Sequence, residues 1–206
     1  GAAELLQEPG MPVEQQQRFA ASIARETRRL QEVVDRMMEL TALESRRLLK
    51  DQQRVDLAPL LQELATGARA QAPALRVDVR VTADLAVEGD PFLLRRAIGN
   101  LLDNAVGFST PAGGDKPDIV LRLAREGGMA RIEVRDHGPG VPSFAEDKVF
   151  DKFFSLARPG SSKRSTGLGL AFVREIATLH QGSITLGNAG DPPGALAVLR
   201  LPLLEA

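Results

Sequence analysis

The chain has 206 residues, 43% of them apolar, with 26 basic residues against 27 acidic ones and a net charge of −1. This bounds one medium domain with an appendage or two small domains, with enough apolar material for a core. The absence of cysteine excludes a disulfide framework, a zinc finger and thiol catalysis, and fits a reducing compartment, while the balanced charge gives no basis for binding nucleic acid or anionic membrane.

No signal peptide is visible at the start, and no apolar run approaches the ~18 residues of a membrane span. Residues 1–8 read as the end of a helix, broken by Pro9, Gly10 and Pro12. The chain is therefore expected to be a fragment of something longer. From about residue 15 to 50 a long helical pattern follows. Phe19, Ile23, Leu30, Val33, Met37 and Leu40 recur along it mostly three or four residues apart. That seam suits a helical hairpin or a dimeric bundle; the alternative is a helix packed on its own globular domain.

Composition changes after Asp51. Asp56 is placed to cap a helix through Leu57, Leu60, Leu61 and Leu64. Residues 76–82, RVDVRVT, alternate with a period of two and predict a half-buried strand. Gly89, Asp90 and Pro91 read as a turn, a cap and a first-turn proline, starting a helix that reaches about Val106. Strands are expected near 118–124 and 130–135, joined by Gly127 and Gly128. A loop rich in Gly, Ser and basic residues covers 155–166. The next helix is expected from Gly167 to about His180, where Gly182 ends it, and strands near 183–186 and 196–201 close the chain. Interspersed elements with hairpin connections predict an α+β fold, a layer of helices on a mixed sheet, over residues 51–206.

Four segments carry candidate chemistry. In NLLDNA, Asn100 and Asn104 are four apart and share a helix face. Asparagine disfavours helix interiors, and amide oxygens are hard ligands suited to Mg²⁺; a solvated face is the competing reading. In DHGPGVP, Asp136 follows a strand, where a carboxylate can accept from an exocyclic amine such as that of adenine. Gly138 and Gly140 permit positive φ and close backbone approach, though a tight turn alone explains them as well. His137 and His180 lack the neighbours of catalytic histidines. TGLGLAFVREIA, from Thr166, sets glycines at a helix start, where free N–H groups bind phosphate; it is neither a P-loop nor a dinucleotide fingerprint. Between them KVFDKFFS concentrates Phe150, Phe153 and Phe154 before the flexible segment, as an anchor for a lid bearing Arg158, Lys163 and Arg164.

The order of these four segments resembles the N, G1, F and G2 boxes of sensor histidine kinases. Those kinases belong to the GHKL superfamily, with its Bergerat-type ATP-binding fold, that also contains gyrase, Hsp90 and MutL. The boxes cover about residues 92–182. The preceding ELTALE and RVDLAPLL resemble the end of the second dimerisation helix and its linker, and GAAELL with FFSLARPG…STGLGLAFVREIATL is most similar to the CreC-type sensor kinases. The resemblance implies a two-layer α/β sandwich over residues 51–206, preceded by partial dimerisation helices over 1–50. It implies ATP and Mg²⁺ as cofactors. Asn104 would ligate Mg²⁺, Asn100 would face the phosphates and Asp136 would take the adenine amine. Phe108 would lie against the base, and Val141, Val149 and Phe154 would line the pocket beside Gly138 and Gly140. Thr166, Gly167, Leu168, Gly169 and Leu170 would wrap the phosphates.

In the gyrase-like relatives the position of Asn100 is a water-activating Glu. An amide cannot act as a general base, so phosphoryl transfer is favoured over hydrolysis. The implied activity of the parent is transfer of the ATP γ-phosphate to a histidine on the dimerisation helix, and thence to an aspartate of a response-regulator receiver domain. A homodimer through the helical segment, a cytoplasmic fragment and a parent in the bacterial inner membrane also follow from the resemblance. Departures stand at Gly107, where the family usually has Lys or Arg, at Ser155, often basic, and at Ser165, usually Gly. Lys152 and Arg158 are candidates for the missing phosphate contact. The H-E-x-x-[ST]-P-L phosphoacceptor run does not occur in the sequence, so the fragment is expected to bind nucleotide without phosphorylating itself. The alternatives are a degenerate nucleotide-sensing or dimer-scaffold module, and another ATPase of the superfamily such as a serine kinase acting on an anti-sigma partner.

Overall fold

The computed structural model describes residues 12–46, 48–49, 51–71, 76–109, 118–158, 165–190 and 193–204. The helical turn expected over residues 1–8 lies outside them, as do Lys163 and Arg164. The chain divides into two compact units, residues 1–42 and 43–206.

The first unit is dominated by helix α1, Val13–Glu44. Its pattern of threes and fours leaves Phe19, Ile23, Val33 and Met37 half-buried, while Leu30 and Met38 are exposed. The helix is two residues longer at its start than its periodicity indicates, and it stops at Glu44 rather than near 50.

The second unit holds the rest. Strand β1 (Gln53–Asp56) leads directly into α2 (Leu57–Gln71). Asp56, expected as a helix cap, ends the strand, and its carboxylate accepts from Arg54 Nε at 3.0 Å. Then come β2 (Arg76–Val81), β3 (Ala86–Gly89), α3 (Pro91–Phe108), β4 (Asp118–Glu126) and β5 (Met129–Arg135). A 3-10 turn at Ser143–Ala145, α4 (Gly169–Leu179), β6 (Ser183–Asn188) and β7 (Ala195–Pro202) complete it. Five strands form a sheet in the order β2-β4-β5-β7-β6, and β1 pairs with β3 in a separate two-stranded sheet. β2 and β4 run parallel; the other pairs of the large sheet are antiparallel.

Alternation decides which face is buried. Ile119, Leu121 and Leu123 of β4, Ala130, Ile132 and Val134 of β5, and Leu199 and Leu201 of β7 all turn inward. Helices α2, α3 and α4 all contact this sheet, which gives the two-layer sandwich the sequence predicts. The other face carries charge: Arg131 and Arg200 are cross-strand partners, and both reach Glu126. Such exposed pairs stabilise by only ~0–1 kcal/mol each.

Helix α3 positions the site. Asp90 is its N-cap, its Oδ1 accepting from the backbone N–H groups of Phe92 and Leu93, and Pro91 fills the first turn. Leu93, Leu94, Ala97, Ile98, Leu101, Leu102 and Ala105 form its buried stripe. Truncating Leu94 or Ile98 to Ala would cost about 2–5 kcal/mol. That stripe fixes the rotation of the helix, so Asn100 and Asn104 lie together at its half-buried flank. Among the described residues no helix is long and apolar enough to cross a membrane.

Candidate functional site

Beyond the carboxyl end of β5 the chain turns through Asp136–Pro142. Asp136 is 6% exposed. Its Oδ1 accepts from the backbone N–H groups of Gly138 and Ala195, each at 2.9 Å, while its own N–H donates to Ala195 O at 3.0 Å. Three bonds thus hold one residue, and the carboxylate cannot swing. The two glycines have different tasks. A Cβ on Gly138 would stand 2.5 Å from Phe108 O, so Gly138 is needed for close approach. Gly140 has φ +78°, the left-handed region where a side chain is strained.

Asn188, at the end of β6, holds this loop from the other side. Its Oδ1 accepts from Val141 N–H at 2.7 Å and its Nδ2 donates to Val141 O at 2.9 Å. Nothing in the spacing of the sequence links position 188 to position 141, and the sequence reading did not find it. Together Phe108, Gly140, Val141, Leu156, Asn188 and Gly194 help to line a cavity of about 420 Å³. Its walls are mostly apolar, as suits the faces of a planar base.

Val149 and Phe154 are not among the residues lining that cavity, and neither are Asn100, Asn104, Asp136, Gly138 or residues 166–170. Val149 forms a small core with Val141 and Ala145, against which Phe150, Phe154, Leu156 and Leu170 pack. They brace the wall that Val141 presents.

The second half of the site lies along α3 and the start of α4. Asn100 Nδ2 donates to Gly169 O at 3.3 Å, tying the middle of α3 to the first residue of α4. Gly167 lies outside α4, contrary to the helix start expected there, because it has φ +68°. A Cβ on it would meet Phe153 C at 2.5 Å and Phe154 O at 2.7 Å. Gly167 O accepts from Phe153 N–H at 3.0 Å, and Phe153 itself has φ +65°. A non-glycine residue there costs about 1–2 kcal/mol, so the Phe turn is held in strain by the glycine turn docked on it. Leu168 is fully buried, Thr166 and Leu170 half-buried. Leu168 is the N-cap residue of α4 and makes no side-chain cap bond. The first N–H groups of α4 therefore gain no bond from it and remain suited to an anion.

Asn104 Oδ1 accepts weakly from Arg158 Nη2 at 3.5 Å. Among the described residues no group of three or more His, Asp or Glu side chains is placed to hold a metal. A single amide oxygen fits Mg²⁺, which keeps several waters and takes its remaining ligands from phosphates. The two histidines are peripheral to this arrangement. His137 is exposed. His180 is 5% exposed, its Nδ1 2.7 Å from Ile176 O and its Nε2 accepting from Asp90 N–H at 3.1 Å. Burial pushes its imidazole below the ordinary value of 6.5.

A family model described as histidine kinase-, DNA gyrase B-, and HSP90-like ATPase matches residues 89–205. The chain is 38% identical over 202 residues to the sensor protein CreC of Escherichia coli (strain K12), covering 98% of this chain and 41% of that protein. It therefore spans less than half the length of that relative. The solved ATP-binding domain of PrrB from Mycobacterium tuberculosis is 31% identical with a TM-score of 0.58, over 76% of this chain and all of that one. Full-length ShkA in complex with AMPPNP is 25% identical with a TM-score of 0.71, over 99% of this chain and 42% of that one.

Proposed function

The chain belongs to the histidine kinase-, DNA gyrase B- and HSP90-like ATPase family, and from that premise we propose that it is the catalytic, ATP-binding part of a two-component sensor histidine kinase. The observation that carries the reading is the immobilised carboxylate of Asp136 at the head of the turn whose Gly140 and Val141 line a mostly apolar cavity of about 420 Å³. With Oδ1 taken by two backbone N–H groups, Oδ2 is left to accept the adenine amine. Phe108 and Val141 flank the ring, and Gly140 lets the loop turn past it.

The phosphates then run toward the asparagine flank of α3 and the Thr166–Leu170 turn. Asn104 would supply a protein ligand to Mg²⁺, which would neutralise phosphate charge when bound. Asn100 holds the start of α4 through Gly169 and faces the phosphates. No carboxylate stands at position 100, so water is not activated there, and the site serves as a phosphoryl donor. A neutral imidazole nitrogen already has a lone pair, so the acceptor needs only positioning and charge neutralisation. We assign the acceptor to a histidine on a dimerisation helix outside these 206 residues. The final acceptor is an aspartate of a response-regulator receiver domain. Residues 1–50 belong to the dimerisation helices, residues 51–206 to the catalytic domain, and the parent is anchored in the bacterial plasma membrane.

Titration of this chain with a non-hydrolysable ATP analogue and Mg²⁺ tests the site. Saturation in the micromolar to millimolar range that weakens on chelation of Mg²⁺ is expected. A folded chain that binds nothing up to millimolar analogue would defeat the proposal. Incubating a longer chain that includes the dimerisation helices with labelled ATP tests the transfer: acid-labile, base-stable label on a histidine is expected, and its absence sinks the kinase reading.

A further inference from the structure

The site as described lacks a basic side chain on α3 where the triphosphate passes, because position 107 is glycine. We propose that Arg158 supplies this cation from the loop that follows the Phe turn, and that Gly107 is the vacancy which admits it; the inference rests on the ATP-site reading above.

Lys152 and Arg158 are the two candidates the sequence offers for the role. Lys152 is committed elsewhere: its Nζ lies 2.7 and 2.8 Å from the two carboxylate oxygens of Glu44. Arg158 is aimed at α3. A Cβ built on Gly107 would stand 2.7 Å from both Cζ and Nε of Arg158. The guanidinium therefore occupies the space that any larger residue at 107 would claim. It also lies 5.9 Å from the centre of the Phe108 ring, and its Nη2 reaches Asn104 Oδ1. Asn104, Gly107 and Phe108 are spaced by three and four, so they form one strip of helix surface. Arg158 lies across that strip, between the base cavity that Phe108 lines and the amide proposed to hold Mg²⁺.

The guanidinium's donors are poorly used there. Nε is closed off from solvent and has no hydrogen-bond partner among the described residues. The bond of Nη2 to Asn104 is 3.5 Å, at the outer limit, and goes to a neutral acceptor. Leaving such a donor unmet is unfavourable. Phosphate oxygens would satisfy the fork with short, charge-assisted and bidentate bonds, which an arginine makes better than a lysine. The missing helix cation and the underused loop cation thus solve each other.

The test is equilibrium titration of the chain with the non-hydrolysable ATP analogue plus Mg²⁺ and, separately, with adenosine. Wild type, Arg158→Ala, Arg158→Gln and the double variant Arg158→Ala with Gly107→Lys are compared. Either single replacement is expected to weaken the analogue about 10- to 100-fold and to leave adenosine unchanged. The added Gly107→Lys is expected to restore most of the loss, since the vacated space then holds a basic side chain on the helix. Two results would overturn the proposal: analogue affinity unchanged in both single variants, or adenosine and analogue weakened equally, which would make Arg158 a cover for Phe108 and nothing more. If the wild-type chain binds adenosine but gains nothing from the triphosphate, this inference fails while the base pocket stands. If it binds neither, the ATP-site reading fails and takes this inference with it.

Discussion

Replacing Asp136 by Asn changes one oxygen into an NH₂ group and leaves the shape alone, so it isolates the chemistry of base recognition. The structure fixes which way the new amide points. Oδ1 accepts from the N–H groups of Gly138 and Ala195 at 2.9 Å each. An Asn turned the other way would set its NH₂ against two donors, leaving both N–H groups unmet at about 1–3 kcal/mol apiece. The oxygen therefore keeps the Oδ1 place, and the NH₂ takes the place of Oδ2. The acceptor offered to the adenine amine becomes a donor. A hydrogen bond to a charged group contributes ~1.5–3 kcal/mol, and 1.4 kcal/mol is tenfold in affinity, so the ATP analogue should bind roughly 10- to 150-fold more weakly. Hypoxanthine presents a carbonyl where adenine presents its amine. The variant should therefore prefer an inosine triphosphate analogue, inverting the wild-type order. Both backbone bonds survive, so the melting temperature should fall by only a few degrees. Calorimetric titration with the two analogues, beside a thermal melt, reads all of this. A folded Asp136→Asn protein that still prefers adenine as strongly as the wild type would refute the assignment of Asp136.

Three further outcomes follow from named contacts. Asn188→Ala removes both partners of Val141; it should lose about 1–3 kcal/mol in a denaturant titration and weaken adenosine and the ATP analogue alike, because the loop proposed to flank the base is released. Gly167→Ala sets a Cβ at φ +68° and 2.5 Å from the Phe153 backbone. Beyond ~1–2 kcal/mol of left-handed strain, it should cost more affinity for the triphosphate analogue than for adenosine, since the displaced turn is the one proposed to serve the phosphates. His180 is held neutral by burial, its folded pKa lying below the unfolded value of 6.5. Below 6.5 the unfolded chain binds the extra proton more readily, so stability is complete above that pH and declines as pH falls through it. Urea midpoints measured on either side of 6.5 should show this slope, and a His180→Gln variant should flatten it.

The elements with a strong local period were legible in the chain. The Asp90–Pro91 start marked α3, and alternation marked β2, because burial of one face imposes a repeat that residues carry wherever the segment ends up. The four motif segments were legible for a related reason, since glycine at a forced turn and asparagine on an apolar helix are locally unfavourable choices. β1 and β3 escaped notice: at four residues each they are too short for a period to register, and they exist only because they pair with each other. The sequence also placed Val149 and Phe154 among the pocket residues, whereas the fold packs them behind Val141, because their spacing does not say which side of the wall they stand on. Asn188 gripping Val141 and Arg158 lying on Gly107 are contacts across 47 and 51 residues. A residue type tells what bonds it can make; only the packing of the helices on the sheet determines which distant backbone group or empty Cβ space it meets.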